Sequence, residues 1–341
     1  MVHANVDGVQ CIRRPPCCRN GGNAKADSGA STILNAKSTA TADAPSVNQG
    51  IAFLIVAMLS WGLTWPINKV ILESMSPFWM AAVRSAIAAV AVLVITLPGG
   101  RLAVPPRSDV PVLLSIALLH MVGFSILAAI GLQLVPVGRS VVLAYTTPLW
   151  VMPGAAMFLG ERLSARRVAG VALGLLGLGV LFNPFAFDWS DRNSVLGHAA
   201  LLVAALLWAA AILHIRGHKW KSTPFQLVPW EMFLATAILL VIALFSGPHF
   251  VVDWNAKLIL LLFVTSILGS SIPYWAIAMA GRSLSAVTVS LGLLGTPIIG
   301  IVAATIALGE SPGLSVWVAL VLVIGGVALG AAGGRSRRAS D

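Results

Sequence analysis

A stretch near the middle of the chain, GRSVVLAYTTPLWVMPGAAMFLGE at Gly138–Glu161, has its landmarks repeated near the far end. Thr147-Pro148 returns as Thr296-Pro297 and Leu159-Gly160-Glu161 returns as Leu308-Gly309-Glu310, and 296 minus 147 and 308 minus 159 both give 149. One offset that aligns a Thr-Pro inside an apolar run and the triplet that closes the run marks an internal duplication. Gly177 and Gly326 also stand 149 apart, whereas Trp61 and Trp208, and Pro77 and Pro224, stand 147 apart. The two-residue slip falls between the second and fourth runs of each half, where loop length changes at little cost. A proline within a membrane helix leaves a carbonyl of the preceding turn without its backbone donor, so matched kinks, and two matched cavity walls, are expected at Pro148 and Pro297.

The duplicated unit is apolar throughout. Charged residues make up 10% of the chain and hydrophobic residues 58%, against roughly 25% charged in an ordinary soluble domain. Runs of about 18 largely apolar residues are long enough to cross a bilayer. Ten are expected, at about 50–71, 77–97, 110–132, 138–158, 167–183, 196–215, 225–246, 257–280, 285–308 and 313–333. The fold class is therefore all-α, a polytopic membrane protein of ten transmembrane helices. Residues 50–183 and 196–333 form two five-helix repeats, and an odd number of spans per repeat makes the second enter from the opposite side, so the repeats are inverted.

With the N-terminus cytoplasmic, twelve Lys and Arg fall in inside loops and the C-terminal tail and four (Lys69, Arg139, Arg192, Lys257) outside, which places both termini in the cytoplasm. The net charge of +10 then reflects orientation and not nucleic-acid binding. A plasma membrane, and among these a bacterial inner membrane, is the expected location.

Residues 1–46 are rich in Ala, Ser, Thr, Asn and Gly without periodicity and read as a disordered tail. They lack a secretory apolar core, although an organelle-targeting segment or an over-extended gene start would look similar. Cys11, Cys17 and Cys18 all lie in this tail at no metal-ligand spacing, so no disulfide framework, metal site or cofactor is expected. Residues 334–341 form a basic C-terminal tail.

Polar groups at membrane depth are the candidates for function. Ser60, Trp61, Thr64, Trp65 and Asn68 share one helical face and should look inward, although hydroxyls there can equally bond their own helix carbonyls. Arg84 and Glu231 sit at matching depths, 147 apart, and each needs water, a partner or a substrate. Arg84 is a candidate for binding substrate carboxylate or for setting the proton affinity across the cavity, Glu231 for proton coupling. Of the deeper aromatics Tyr145, Trp150, Trp208, Trp230, Tyr274 and Trp275, the candidates for substrate contact are Tyr145, Trp208 and Tyr274, beside Trp61 and Thr64. Trp79, Trp189, Trp220, Trp254 and Trp317 lie at span ends as interfacial anchors. Spans one, three, four, six, eight and nine are expected to line the cavity. Gly170 to Gly174 and Gly326 to Gly330 mark packing seams within the chain or in a homodimer. Glu161 reads as a loop ion pair with Arg162, Arg166 or Arg167, and among the histidines only His120 keeps a functional reading.

Taken in order, Trp61-Gly62, Pro77 with Arg84, the fourth span closing on Leu159-Gly160-Glu161-Arg162, Gly170, and the second set Trp208, Pro224, Pro297, Leu308-Gly309-Glu310 and Gly326 resemble the EamA-like branch of the drug/metabolite transporter superfamily over about residues 50–333. Two departures stand out: Ala209 follows Trp208 where the first half has glycine, and Glu231 answers Arg84. The resemblance implies a secondary carrier, often an exporter, of small metabolites such as amino acids or amphipathic compounds, working in the lipid bilayer. A lipid or polyprenyl-linked carrier translocase is the alternative within the class. A membrane-embedded enzyme would need a catalytic constellation such as H-E-x-x-H or a nucleophile with a base, and the sequence has none.

Overall fold

Ser46 caps the first helix: its hydroxyl accepts from the Gln49 backbone N–H while the Gln49 side chain accepts from the Ser46 N–H. This reciprocal pair satisfies two of the orphan donors at a helix start, and it sets α1 at Val47–Leu72, three residues before the expected start. The computed structural model describes residues 46–96, 104–161, 164–182, 188–222, 224–246, 252, 254–280, 282–284, 288–289 and 292–332. The three cysteines, Arg101, Arg162 and both tails beyond 46 and 332 lie outside the described residues.

The described residues form helices only. After α1 come α2 (Pro77–Thr96), α3 (Val110–Leu134), α4 (Val137–Phe158), α5 (Ala165–Phe182), α6 (Arg192–Gly217), α7 (Pro224–Phe245), α8 (256–280), α9 (Leu293–Leu308) and α10 (Leu314–Ala332). Seven of these, α1 to α4 and α6 to α8, are long and apolar enough to cross a membrane by length and composition; α9 and α10 are shorter apolar helices. Large apolar side chains such as Ile55, Leu59, Val94, Leu176 and Val241 point outward, the arrangement that lipid requires and water would penalise.

The Thr-Pro pairs do not kink a continuous helix. Instead α4 breaks at Tyr145 and Thr146, and Pro148 falls in the first turn of the new segment Thr147–Phe158, where its missing N–H is no loss. The carbonyl it would have served, Ala144, accepts from the Thr147 hydroxyl at 2.9 Å. In α9 a 3-10 turn at Leu293–Gly295 precedes Thr296-Pro297, and the Thr296 N–H bonds the Leu293 carbonyl. The kink expected from sequence is thus a segmented helix in both copies, with a threonine supplying the missing donor.

Packing follows the duplication. α1 lies against α8 and α9, and its counterpart α6 lies against α3 and α4; α2 packs on α7, α4 on α9 and α5 on α10. Exchanging the halves maps this contact pattern onto itself. The α5–α10 seam shows it at atomic detail: a Cβ on Gly326 would lie 2.5 Å from the Gly170 carbonyl oxygen, and the exchanged pair, Gly177 against the carbonyl of Ala319, would meet at 3.0 Å. Both Gly-x-x-x-Gly sequences therefore face each other within one chain, with only hydrogen at the contact. One core cluster joins α1, α2, α3, α4 and α8 through Trp65, Ile71, Met75, Met80, Leu132, Val141 and Leu262.

Candidate functional site

Two rods depart from α-helical winding at corresponding places. Ile116–Phe124 in α3 and Ile267–Ser271 in α8 are wound as π-helix, and moving the first by 149 residues covers the second. A π-turn takes backbone carbonyls out of the usual register and frees them for side chains. In α8 the Trp61 Nε1–H donates to the Gly269 carbonyl within the π-segment at 3.1 Å, and Arg84 Nη2 donates to the Thr265 carbonyl in the α-helical turn just before it at 3.4 Å. Trp208, the counterpart of Trp61, meets the matching turn of α3 by stacking on His120 with ring centroids 5.3 Å apart and planes at 18°. At the 149 offset His120 corresponds to Gly269. Glycine leaves the turn bare, so one tryptophan finds a carbonyl; histidine covers it, so the other finds a ring. Phe124 at 5.2 Å and Tyr145 at 6.3 Å complete the cluster around Trp208.

A cavity of about 190 Å³ lies between the two π-segments. Trp61, Thr64, Trp65 and Asn68 of the polar stripe line it; Ser60 is buried outside it. The Thr64 hydroxyl donates to its own helix at the Trp61 carbonyl, 2.7 Å away, and the Asn68 side-chain oxygen accepts from the Thr265 hydroxyl at 2.8 Å. Tyr145 and Trp208 also line the cavity. Tyr274 stands on α8, and its side chain lies outside the described residues. Trp275, grouped with the deeper aromatics in sequence, is half exposed and turns outward against Phe53. Trp150 bonds Thr146 at 3.2 Å and is not a lining residue.

The wall differs from the expected one. α2 contributes Arg84 and Ser85 and α7 contributes Met232 and Leu239, while α9 supplies no lining residue among those described. The reason is the α2–α7 pairing, fixed at this depth by a hydrogen bond of 2.7 Å between Ser85 and Thr236. The two helices close one side of the cavity together. Arg84 lies in this wall beside Gly269, and no carboxylate pairs with it among the described residues. Even the mildest insertion scales put an arginine at the membrane centre at a cost of about 2.5–3.5 kcal/mol. Glu231 is 5% exposed and does not line the cavity, although its neighbour Met232 does. Arg84 and Glu231 form no ion pair with each other. Sequence reasoning passed over Phe124, Met121, Ser270 and the π-segments themselves; the one legible signal was the register of His120 with Gly269.

The motif glutamates work at the two ends. Glu310 accepts from the Val137 N–H at 2.8 Å and the Gly138 N–H at 3.2 Å, capping α4, where a carboxylate is favoured by the helix dipole. Close by, the Lys69 ammonium donates to the Leu132, Gln133 and Val135 carbonyls at 2.6–3.2 Å, closing α3, within electrostatic reach of Glu310. Glu161 pairs with Arg167 at 2.9 Å and with Arg216. Lys69 and Arg216 are 147 apart, so each motif glutamate meets the basic residue that ends the first helix of the other half. Between α2 and α3, fully buried Asp109 accepts from His218 Nε2 at 3.0 Å, the Ser222 N–H at 2.8 Å and the Ser108 hydroxyl at 3.2 Å. Burial alone would raise its carboxyl, but these bonds hold it well below the usual carboxylate range. No group of His, Cys, Asp and Glu able to hold a metal occurs among the described residues.

The model of the EamA-like transporter family matches the chain twice, over residues 48–183 and 195–331. The chain belongs to the EamA-like transporter family. Among its relatives, a protein named uncharacterized transporter YvbV from Bacillus subtilis is 25% identical over 285 residues, covering 82% of this chain and 89% of that one. One named "Probable amino-acid metabolite efflux pump" from Salmonella typhimurium is 27% identical over 301 residues, covering 84% and 96%. A riboflavin transporter of Rhizobium johnstonii is 36% identical over 134 residues, 39% of this chain and 41% of its own. A solved protein crystal structure shares the fold with a TM-score of 0.60 at 21% identity, covering 87% of this chain and all of the other. This EamA-like protein is a multi-pass membrane transporter of small metabolites and not an enzyme.

Proposed function

We propose that this EamA-like protein is a secondary-active exporter of small metabolites such as amino acids or amphipathic compounds, that the cavity between the π-segments is its substrate site, and that transport is proton-linked through Glu231. The observation that carries the reading is where the cavity lies: it is bounded by the first and third helices of both halves, whose contacts exchange under the duplication. Rocking one set against the other would turn a site placed there from one membrane face to the other. This mechanism takes the halves, 50–183 and 196–333, as inverted copies. It also takes the basic loops and both termini as cytoplasmic, in a bacterial inner membrane.

The relatives named for amino-acid metabolite efflux and riboflavin favour small organic substrates. Trp61, Thr64, Arg84, Tyr145 and Trp208 are assigned to substrate contact from their place on the wall, and Tyr274 from its place in the sequence. Glu231 is assigned to the proton because it is a buried acid without an ion pair among the described residues, one position from a lining residue. Any homodimer would use surfaces other than the α5–α10 seam, which is already filled.

The test is counterflow in liposomes with labelled amino acids, riboflavin and cationic drugs, repeated with an imposed pH gradient. The reading expects counterflow of at least one of these, and Glu231→Gln should lose gradient-driven accumulation while keeping downhill exchange. Accumulation by that variant at the wild-type level would leave Glu231 a structural role only.

A further inference from the structure

We propose that the cavity selects planar organic anions, with Arg84 holding the anionic group and the aromatic cluster at Trp208 receiving the ring. The proposal rests on the cavity being the substrate site. Among the described lining residues Arg84 is the one charged side chain. Its Nε is buried with no hydrogen-bond partner among the described residues, and Nη2 has a single, long bond to the Thr265 carbonyl. A guanidinium presents five donors in a planar fork that matches a carboxylate, so most of its bonding capacity is unspent.

The site is built around this cation. A Cβ at Gly269 would come within 2.5 Å of Nη2, so the guanidinium occupies room that only glycine leaves. The counterpart of Arg84 under the duplication is Glu231, and it does not line the cavity. The charge on the wall is therefore not cancelled by symmetry. Arg84 stands on the wall beside Gly269 of the α8 π-segment, and His120, Phe124, Tyr145 and Trp208, packed ring against ring, line the same cavity. A neutral or cationic solute would leave the arginine uncompensated in a poorly hydrated site, which an anion corrects. A flat ring gains the stacking geometry that the cluster offers.

Purified protein in nanodiscs is titrated calorimetrically with naphthalene-2-carboxylate, its neutral amide and cyclohexanecarboxylate, with empty nanodiscs as the partition control. The proposal expects the carboxylate to bind at least about tenfold tighter than the amide, as a charge-assisted fork should give, and tighter than the non-aromatic anion. Arg84→Gln should abolish the preference over the amide, Arg84→Lys should restore part of it, and Trp208→Leu should erase the preference for the ring. Equal binding of carboxylate and amide by the wild-type protein overturns the proposal, whatever the variants do. Counterflow of the same solutes separates the two levels: amide moved as well as carboxylate leaves the cavity a transport site without anion selectivity, whereas no binding and no counterflow of any of the three, with none in the wider screen, removes the substrate site and the proposal together.

Discussion

The guanidinium of Arg84 fills the space that a side chain at position 269 would take, since a Cβ on Gly269 would lie 2.5 Å from Nη2. The α8 π-segment and the α2 cation are thus fitted to one another. Gly269→Ala should therefore separate function from stability. Alanine favours helix over glycine by about 1 kcal/mol, so the melting temperature should hold or rise. Displacing the arginine should weaken substrate binding and counterflow by about tenfold or more, the scale of a lost charge-assisted hydrogen bond. Gly179→Ala, where a Cβ would meet nothing within 4 Å, is the matched control: its melting temperature should also hold or rise, with binding and counterflow unchanged.

The α5–α10 seam predicts the opposite separation. Gly170 and Gly326 touch backbone to backbone, and neither lines the cavity. Gly170→Val or Gly326→Val should destabilise by about 1–3 kcal/mol, as overpacked interfaces do, read as a lower melting temperature in detergent. Substrate affinity of the folded fraction should stay at the wild-type value.

Asp109 gives a pH dependence with a definite sign. Its carboxyl is held below the ordinary range by His218, Ser222 and Ser108 against the opposing effect of burial. A depressed folded-state value contributes stability in full above the unfolded carboxyl pKa of about 3.9 and loses it as pH falls through the folded value. Asp109→Ala should melt below the wild-type protein by a constant margin across roughly pH 5 to 8 and converge with it only in stronger acid. A margin that shrinks steadily from neutral pH downward would contradict the assignment.

Much of the fold was readable because membrane helices announce themselves by length and composition, and because the duplication fixes many landmarks twice. The starts of α2 and α10 and the end of α7 fell within a residue of their expected positions, since prolines, glycines and polar residues punctuate them. The stripe from Ser60 to Asn68 was legible as one helical face, and four of its five members line the cavity. The Thr-Pro segments were not. Reading proline as a kink overlooks that another donor can serve the vacated carbonyl, the Thr147 hydroxyl in α4 and the Thr296 backbone N–H in α9, and let a new segment start at the proline. The π-segments have no simple sequence signature, so the turn that brings Gly269 to Trp61 and His120 to Trp208 had to be seen. Arg84 and Glu231 share an offset and a depth in the sequence, but only the rotation of each helix tells which of them faces the cavity, and it places Arg84 in the wall and Glu231 out of it.

Cysteine accessibility measures the central claim most directly. In protein with Cys11, Cys17 and Cys18 replaced, single substitutions Trp61→Cys, Tyr145→Cys and Trp208→Cys are exposed to a membrane-impermeant thiol reagent from each side of the membrane, with outward-facing Val241→Cys as the lipid control. Lining residues of an alternating site should react from at least one side, Val241→Cys should not, and a transported substrate should slow the labelling of the three. If all three resist the reagent from both sides, the cavity between the π-segments is not the transport path.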